Sequence, residues 1–365
     1  MPRVVLVRDP RFPIGGFETW VETLAAKLPE RGIDVTLLTP RSDDEVLDEL
    51  ARRAANGEHG VVFTGGYPYL YVAGINLLGS PWVPVPVLHG RDPGAAEWMA
   101  IGPPPKIVVP SSDLAAMLEP LLTSRVGRLR MRGRIEVIPH GVVVPPDVPK
   151  LAREAELPLR VVVVSRFEDD VKRAFDYVRI VDSCAALPLE FTLVGDGGAL
   201  PAMRERLRDR VRFTGALPPA QVYEELLNAD VALAASSSEA FSLAVTEAFA
   251  CGCAVVVTDT GSSSNERIRE AGGKVVPPGD IDAFVRELAA FTRDPRLVRE
   301  IGRRGHSMVR ERYSADRMAD GYAALVRSLP SRPDRKWRPP MYRTPDEALP
   351  RTLAARVANW VRAFR

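Results

Sequence analysis

The sequence predicts an α/β protein made of two doubly wound domains in series. Short apolar runs alternate with helical patterns along both halves of the chain, which is typical of parallel sheets covered by helices on both faces. A proline-rich connector separates the halves and contains Pro139, Pro145, Pro146, Pro149 and Pro158. The length of 365 residues also suits two domains.

In the first half, apolar runs predict strands at residues 4–7, 35–38, 61–63, 83–88, 107–109 and 135–138. Helical patterns predict helices at residues 17–31, 45–55 and 111–122. We expect these elements to form an N-terminal Rossmann-like domain over residues 1–145. A linker over residues 146–158 follows it.

The same alternation restarts after the linker. It predicts strands at residues 161–164, 191–194, 211–213, 231–234, 255–257 and 275–276. Helical segments at 295–313 and 315–329 are expected to close a C-terminal Rossmann-like domain over residues 159–329. Ligands of such sheets bind at the carboxyl ends of the strands, so two domains facing each other would place the site in a cleft between them.

Composition limits the classes of partner and compartment. The formal net charge of +2 gives no indication of a polyanion, and we expect no nucleic-acid partner. The three cysteines show no metal-ligand spacing, and their odd number argues against a disulfide framework, so we expect buried thiols. No apolar run reaches membrane-spanning length and no secretory signal precedes the first strand, which leads us to expect a cytoplasmic protein.

The most informative stretch runs from Ser236 to Gly252. An apolar run at 230–235 is expected to be a buried strand, and the stretch after it gives a loop followed by a helix. The unpaired N–H groups at the start of that helix form an anion site. Glu239 falls in the loop and Glu247 on the helix. Because carboxylates accept hydrogen bonds from hydroxyl pairs, this arrangement suits a sugar nucleotide.

Glu239 and Glu247 are separated by seven residues, and residues 250–256 read Ala-Cys-Gly-Cys-Ala-Val-Val. This pattern resembles that of retaining glycosyltransferases of the GT-B fold, family 4-like (glycosyl transferases group 1), which carry Glu, seven residues, Glu and then Ala-x-Gly-x-Pro-Val-Val. The resemblance covers about residues 1–330. It implies two doubly wound Rossmann-like domains facing across a cleft, and sugar transfer from a nucleoside-diphosphate donor to an acceptor hydroxyl with retention of configuration.

Arg166 and Lys172 follow the first strand of the second domain. A guanidinium fork and an ammonium point charge can clamp a diphosphate together, although exposed Arg and Lys are usually only solvated. The resemblance favours the functional interpretation, because the family places an Arg and a Lys five or six residues apart here. A Gly commonly follows that Lys in the family, whereas this chain has Arg173.

Glycine-rich turns and one histidine extend the candidate site. Gly15 and Gly16 follow the first strand, and the residues alone leave a plain turn and a ligand-binding loop equally open. The resemblance implies a place near the donor phosphates and the acceptor for these glycines, and a place facing the donor sugar for His89 at the end of strand 83–88. The Gly195–Gly198 turn lacks the final glycine of a dinucleotide fingerprint, since Leu200 stands there, and the resemblance puts Gly195 near the nucleobase.

The resemblance therefore implies a catalytic set and a donor-binding set. The catalytic set is Glu239, His89, Arg166 and Lys172; the donor-binding set is Gly15, Gly16, Arg166, Lys172, Gly195, Phe241, Ser242, Leu243 and Glu247. Glu239 would bind the donor sugar and Glu247 the ribose. Two alternatives stay open: a non-catalytic sugar-nucleotide-binding protein on the same fold, and a GT-B-like sugar-nucleotide epimerase.

No metal or further cofactor is expected, because Arg166, Lys172 and helix N–H groups can offset the charge of the leaving diphosphate. Asp280 and Asp282 imitate a metal motif but stand where a helix N-cap is expected. A UDP-sugar is the default donor, and the acceptor is a small molecule, a glycan or a lipid-linked glycan. The tail at 330–365 has nine Arg or Lys against three acidic residues. We expect it to dock on the N-terminal domain, with peripheral binding to an anionic membrane surface as the alternative.

Overall fold

The structure is a computed structural model that describes residues 1–8, 16–41, 43–64, 81–90, 104–125, 133–152 and 154–329. The chain forms two compact units. The first contains residues up to Pro139 together with the last helix from Met318 onward, and the second contains His140–Arg317. The predicted tail at 330–365 and Gly15 lie outside the described residues.

The first unit contains a parallel sheet with helices between its strands. Its strands are β1 Arg3–Val7, β2 Asp34–Leu38, β3 Gly60–Thr64, β4 Trp82–Pro86, β5 Ile107–Val109 and β6 Ile135–Val137, and its helices include α1 Gly16–Lys27, α2 Asp43–Ala55 and α3 Ser112–Arg125. Four strands are arranged in the order β2-β1-β3-β4, and β5 pairs with β6. A bridge between Val87 and Val108 connects the chain after β4 to β5.

The second unit contains a six-stranded parallel sheet. Its strands are β7 Leu159–Val164, β8 Leu189–Val194, β9 Val211–Gly215, β10 Val231–Ala234, β11 Ala254–Thr258 and β12 Lys274–Val276. They are arranged in the order β12-β11-β10-β7-β8-β9. Most of their side chains are buried, which explains the valine-rich runs from which the sequence predicts them. The strand order reverses between β7 and β10, and ligands of doubly wound sheets bind at such a switch point.

Helices flank this sheet and continue to the end of the described chain. They are α4 Ala174–Ser183, α5 Leu200–Leu207, α6 Pro219–Asn228, α7 Leu243–Ala250, α8 Ser263–Glu270, α9 Ile281–Arg293, α10 Pro295–Arg312 and α11 Ala315–Ser328. The predicted strands and helices of both halves are all present. Within the described residues, no helix combines the length and apolarity needed to cross a membrane.

Helix α11 begins in the second unit, but most of it packs in the first. Trp20 Nε1 donates a hydrogen bond of 3.1 Å to the Tyr322 hydroxyl, and the Phe63 ring meets the Tyr322 ring edge-on at 5.1 Å. The sequence pattern predicts that residues 315–329 close the second domain. In the structure, the part of this helix from Met318 onward belongs to the first unit. An amphipathic pattern predicts that a helix has a buried stripe, but not which core receives it.

Two glycines let helix α10 pack closely against helix α7 and the turn that follows it. A Cβ at Gly302 would lie 2.3 Å from the Gly252 carbonyl oxygen, and one at Gly305 would lie 2.0 Å from Cδ1 of Phe249. Neither position tolerates a side chain unless the helices move apart. Because α7 carries Glu247, this contact also determines where that carboxylate lies.

We expect Gly305→Ala to destabilise the protein. Alanine favours an exposed helix over glycine by about 1 kcal/mol, but here its methyl group overlaps the Phe249 ring, and overpacking of this kind costs about 1–3 kcal/mol. The melting temperature should therefore fall, as measured by calorimetry. Arg310→Ala, at an exposed position on the same helix, is the control and should change stability little. A Gly305→Ala variant that is more stable than the wild type would contradict the close approach.

Candidate active site

The loops that follow β7 and β10 leave the sheet side by side, because these two strands are paired. Ser237 donates two hydrogen bonds to the Val171 carbonyl oxygen, one from its backbone N–H at 2.8 Å and one from its hydroxyl at 3.2 Å. The Ala235 N–H donates to the hydroxyl of Tyr177 at 2.9 Å from beneath the loops. These contacts align the two loops at the switch point of the sheet.

The alignment brings Lys172 and Glu239 into a direct ion pair. Lys172 Nζ lies 2.7 Å from Glu239 Oε1, although the residues are 67 positions apart in the chain. The two side chains are 23% and 19% exposed, so a ligand can reach both. An ammonium has three donors and a carboxylate accepts at two oxygens, so each group retains capacity for further hydrogen bonds.

Arg166 lies on the same loop and is exposed. Among the described residues, its guanidinium has no hydrogen-bond or ion-pair partner. Its carbonyl oxygen accepts hydrogen bonds from Ser165 Oγ at 3.0 Å and from the Glu168 N–H at 2.9 Å, which gives the loop a defined backbone. Arg166 can therefore present its planar fork of donors to an anion beside Lys172.

Arg173 stands where a glycine is expected, and it adopts the backbone conformation that glycine favours. Its backbone is left-handed, with φ of 50°, which costs a residue with a Cβ about 1–2 kcal/mol. Its Nε donates to Asp176 Oδ2 at 2.5 Å, and this contact fastens the strained residue to helix α4. The loop thus keeps the backbone conformation that glycine favours.

The start of helix α7 adds a third positive feature at the switch point. Phe241 is buried, and Ser242 is left-handed, with φ of 59° and ψ of 77°. Helix α7 begins at Leu243. Its first N–H groups have no partners within the helix and carry the positive end of the helix dipole, so an anion is favoured there.

Glu247 lies one turn further along α7 and is half-buried. Burial raises the pKa of its carboxyl to about 7. Burial raises the pKa of the Tyr223 hydroxyl, and the charge of the nearby Glu247 carboxylate raises it further. In the absence of ligand, Glu247 therefore exists as a mixture of the neutral acid and the carboxylate at neutral pH.

The loop after β8 packs tightly against the loop that carries Arg166. A Cβ at Gly195 would lie 1.8 Å from the Ser165 carbonyl oxygen, and Gly195 has φ of 135°. The Phe167 N–H donates to the Asp196 carbonyl oxygen at 2.9 Å. Gly195 is therefore required for the contact between these loops, whatever it contributes to a ligand.

Two of the expected site residues that the structure describes belong to the first unit. Gly16 is the first residue of α1. His89 follows β4, and its ring meets the rings of Phe17 and Trp20 edge-on at 5.2 and 5.0 Å. Burial lowers the pKa of His89 to about 4, so the imidazole is neutral at neutral pH and can serve as a hydrogen-bonding group rather than as a cation.

Residues 158–294 match the family model described as Glycosyl transferases group 1. The matched segment begins one residue before β7, ends one residue after α9 and so contains the whole switch point. Arg166, Lys172, Gly195, Glu239, the 241–243 segment and Glu247 all lie within it.

The chain is also similar to curated proteins named as glycosyltransferases. The chain is 27% identical over 230 residues to the lipopolysaccharide core biosynthesis glycosyltransferase LpsE of Rhizobium meliloti, a match that covers 60% of this chain and 66% of LpsE. The matches span between 16% and 66% of the length of these curated relatives.

The structural comparison shows the GT-B fold. Sucrose-phosphate synthase from Thermosynechococcus elongatus is similar with a TM-score of 0.72 at 19% identity, over 90% of this chain and 99% of that one. HepE from Anabaena, solved in complex with UDP, is similar with a TM-score of 0.66 at 18% identity, over 90% of this chain and all of HepE, 100%.

Two residues outside the expected set contact Phe241, just before helix α7. Arg267, in α8, is 7% exposed, and its guanidinium lies 3.9 Å above the Phe241 ring. His140 is 3% exposed and meets the same ring edge-on at 5.3 Å, whereas the sequence predicts only a turn residue there. No sequence signal distinguishes Arg267 from a solvated arginine, because its neighbours in α8 are mostly polar.

The aspartates that imitate a metal motif are accounted for. Asp280 is the N-cap of α9, and its Oδ1 accepts a hydrogen bond of 2.8 Å from the Ala283 N–H, which confirms the predicted cap. Across the described parts of the chain, no three His, Cys, Asp or Glu side chains are grouped as metal ligands. The three cysteines are free and buried, as predicted.

We expect Glu247→Gln to stabilise the protein more at pH 8 than at pH 5. The carboxyl pKa rises from an ordinary 4.5 to about 7 on folding, so the folded protein holds a proton that the unfolded chain has lost between these values. Wild-type stability therefore falls as pH rises from 4.5 to 7, whereas glutamine does not titrate. Melting temperatures at both pH values measure the difference. Glu205→Gln, at an exposed position on α5, controls for the loss of a carboxyl, and an equal effect of Glu247→Gln at both pH values would contradict the raised pKa.

Proposed function

We propose that this chain is a glycosyltransferase that moves a sugar from a nucleoside-diphosphate sugar to an acceptor hydroxyl. The Lys172–Glu239 pair at the switch point, beside the start of α7, is the observation that carries the proposal. It puts a cation suited to a phosphate next to a carboxylate suited to sugar hydroxyls. A sugar diphosphate presents these two kinds of group next to each other.

Lys172, Arg166 and the first N–H groups of α7 would bind the diphosphate. When the diphosphate draws Lys172 away, Glu239 loses its counter-charge and becomes available to the hydroxyls of the donor sugar. The same positive groups would stabilise the diphosphate as the bond to the sugar breaks and negative charge develops on it. The proposal therefore requires no metal ion.

Glu247 would accept hydrogen bonds from the ribose hydroxyls. Its carboxylate form accepts at both oxygens, so the ligand would favour loss of the proton that burial retains. Gly195 and its loop would lie near the base. UDP is the first nucleotide to test, since HepE was solved with UDP bound.

The first unit would bind the acceptor. By the resemblance, Gly15 and Gly16 would lie near the donor phosphates and the acceptor, and neutral His89 would contact the donor sugar. LpsE is named for lipopolysaccharide core biosynthesis, which supports a glycan or lipid-linked acceptor. Retention of configuration is part of the proposal through the resemblance around Glu239 and Glu247. The leaving phosphate would take the proton of the acceptor hydroxyl.

We expect Lys172→Ala to slow sugar transfer by about 10²-fold or more, the scale for removing one electrostatic stabiliser of a transition state. Donor binding should weaken as well, because the diphosphate loses a charged partner. A coupled assay of diphosphate release and calorimetric titration with UDP measure the two effects. Lys274→Ala is the matched control, because Lys274 also pairs with a carboxylate in the second unit but lies on β12. Wild-type transfer by Lys172→Ala would refute the assignment.

Substitution of Glu239 and substitution of Glu247 should affect different steps. Glu239→Gln should reduce transfer more than it reduces UDP binding, because its expected partner is the sugar, which UDP lacks. Glu247→Gln should weaken UDP binding itself, because its expected partner is the ribose. Calorimetry with UDP and transfer rates with the UDP-sugar separate the two patterns, and the reverse outcome would exchange the two roles.

A further inference from the structure

Arg267 is a buried cation without an ion-pair partner among the described residues. Its guanidinium donates a hydrogen bond to the Phe241 carbonyl oxygen, and its Nε has no hydrogen-bond partner in this part of the chain. Buried charges are ordinarily paired. Burial lowers the pKa of Arg267 to about 10, and the charges of Tyr313 and Glu239 raise it, so the side chain stays cationic at neutral pH.

The contacts of Arg267 converge on one residue, Phe241. The same guanidinium stacks on the Phe241 ring at 3.9 Å and bonds the Phe241 carbonyl oxygen. The edges of the ring meet His140 at 5.3 Å and Tyr313 at 5.8 Å. Tyr313 is itself fixed, because its carbonyl oxygen accepts a hydrogen bond of 2.9 Å from the Val142 N–H. Phe241 is thus held through both its side chain and its backbone.

Holding this carbonyl fixes the direction of the next N–H. The Phe241–Ser242 peptide is trans, so its C=O and the Ser242 N–H point in opposite directions. With the oxygen turned towards the buried guanidinium, the Ser242 N–H points away from it. Ser242 then takes a left-handed conformation that a residue with a Cβ rarely adopts, and helix α7 begins at the next residue.

We propose that Arg267 is a positioning residue that holds the Phe241–Ser242 peptide so that the N–H groups of Ser242 and Leu243 face the donor diphosphate. This inference rests on the proposed function. Arg267 acts through the backbone of its neighbour and does not touch the donor. Its buried position, stacked geometry and contact with a carbonyl rather than a carboxylate all suit such a support.

The test compares Arg267→Met, Arg267→Lys, Ser242→Gly and the double variant Arg267→Met/Ser242→Gly with the wild type. Arg310→Met, at an exposed position on α10, is the control for losing one arginine. Hydrogen exchange of residues 241–243 in the ligand-free protein reports on the loop itself. Calorimetry with UDP, and the donor KM and kcat of transfer, report on its use.

Arg267→Met is expected to speed exchange at residues 241–243 and to weaken UDP binding about tenfold or more, the scale on which supporting residues act. Arg267→Lys should do the same, because lysine keeps the charge but cannot stack and bond the carbonyl together. Ser242→Gly should restore part of the affinity lost in Arg267→Met, since glycine adopts the left-handed conformation without strain. The loss should appear in the donor KM as well as in kcat.

Wild-type exchange and wild-type UDP affinity in both Arg267 variants would overturn the inference. A Lys variant that behaves as the wild type would also overturn it, because charge alone would then suffice. An unrescued double variant would overturn it as well, because Arg267 would then not act through the conformation of Ser242. A wild-type protein that binds no nucleoside diphosphate contradicts the proposed function instead, and hydrogen exchange in the ligand-free protein still decides whether Arg267 holds the loop.

Discussion

The parallel pairing of β7 with β10 is the constraint on which the candidate site depends. These strands are far apart in sequence, and the reversal of strand order between them sends their two loops out of the sheet side by side. Lys172 and Glu239 meet for that reason. Packing in the second unit keeps the ends of β7 and β10 and the start of α7 in fixed positions relative to one another.

Support for the site comes from buried groups that no ligand would touch. The Tyr177 hydroxyl holds the Ala235 N–H from below, and Arg267 holds the Phe241 carbonyl oxygen. Gly302 and Gly305 allow α10 to pack closely against the turn after α7 and against Phe249 of α7. The candidate site has few side chains, and these buried groups hold the loops that carry them.

The strands of both sheets could be predicted from the sequence, because parallel strands buried on both faces appear as continuous runs such as residues 161–164 and 254–258. The resemblance predicts Lys172 and Glu239 for one candidate site, but it does not predict their direct pairing, which depends on loop conformations. Arg267 could not be recognised, because Phe241 and Tyr313, which bury it, come from distant segments. The same limit applies to α11, whose apolar stripe does not indicate its core.

Lys172 and Glu239 neutralise each other's charge in their ion pair, and this has a consequence for discrimination among cellular anions. An inorganic phosphate that binds Lys172 leaves the Glu239 carboxylate without a counter-charge, next to the negative charge of the phosphate. A ligand with hydroxyl groups next to its phosphates provides an anion for Lys172 and hydrogen-bond donors for Glu239. The pair would therefore favour ligands that carry hydroxyl groups beside their phosphates over inorganic phosphate.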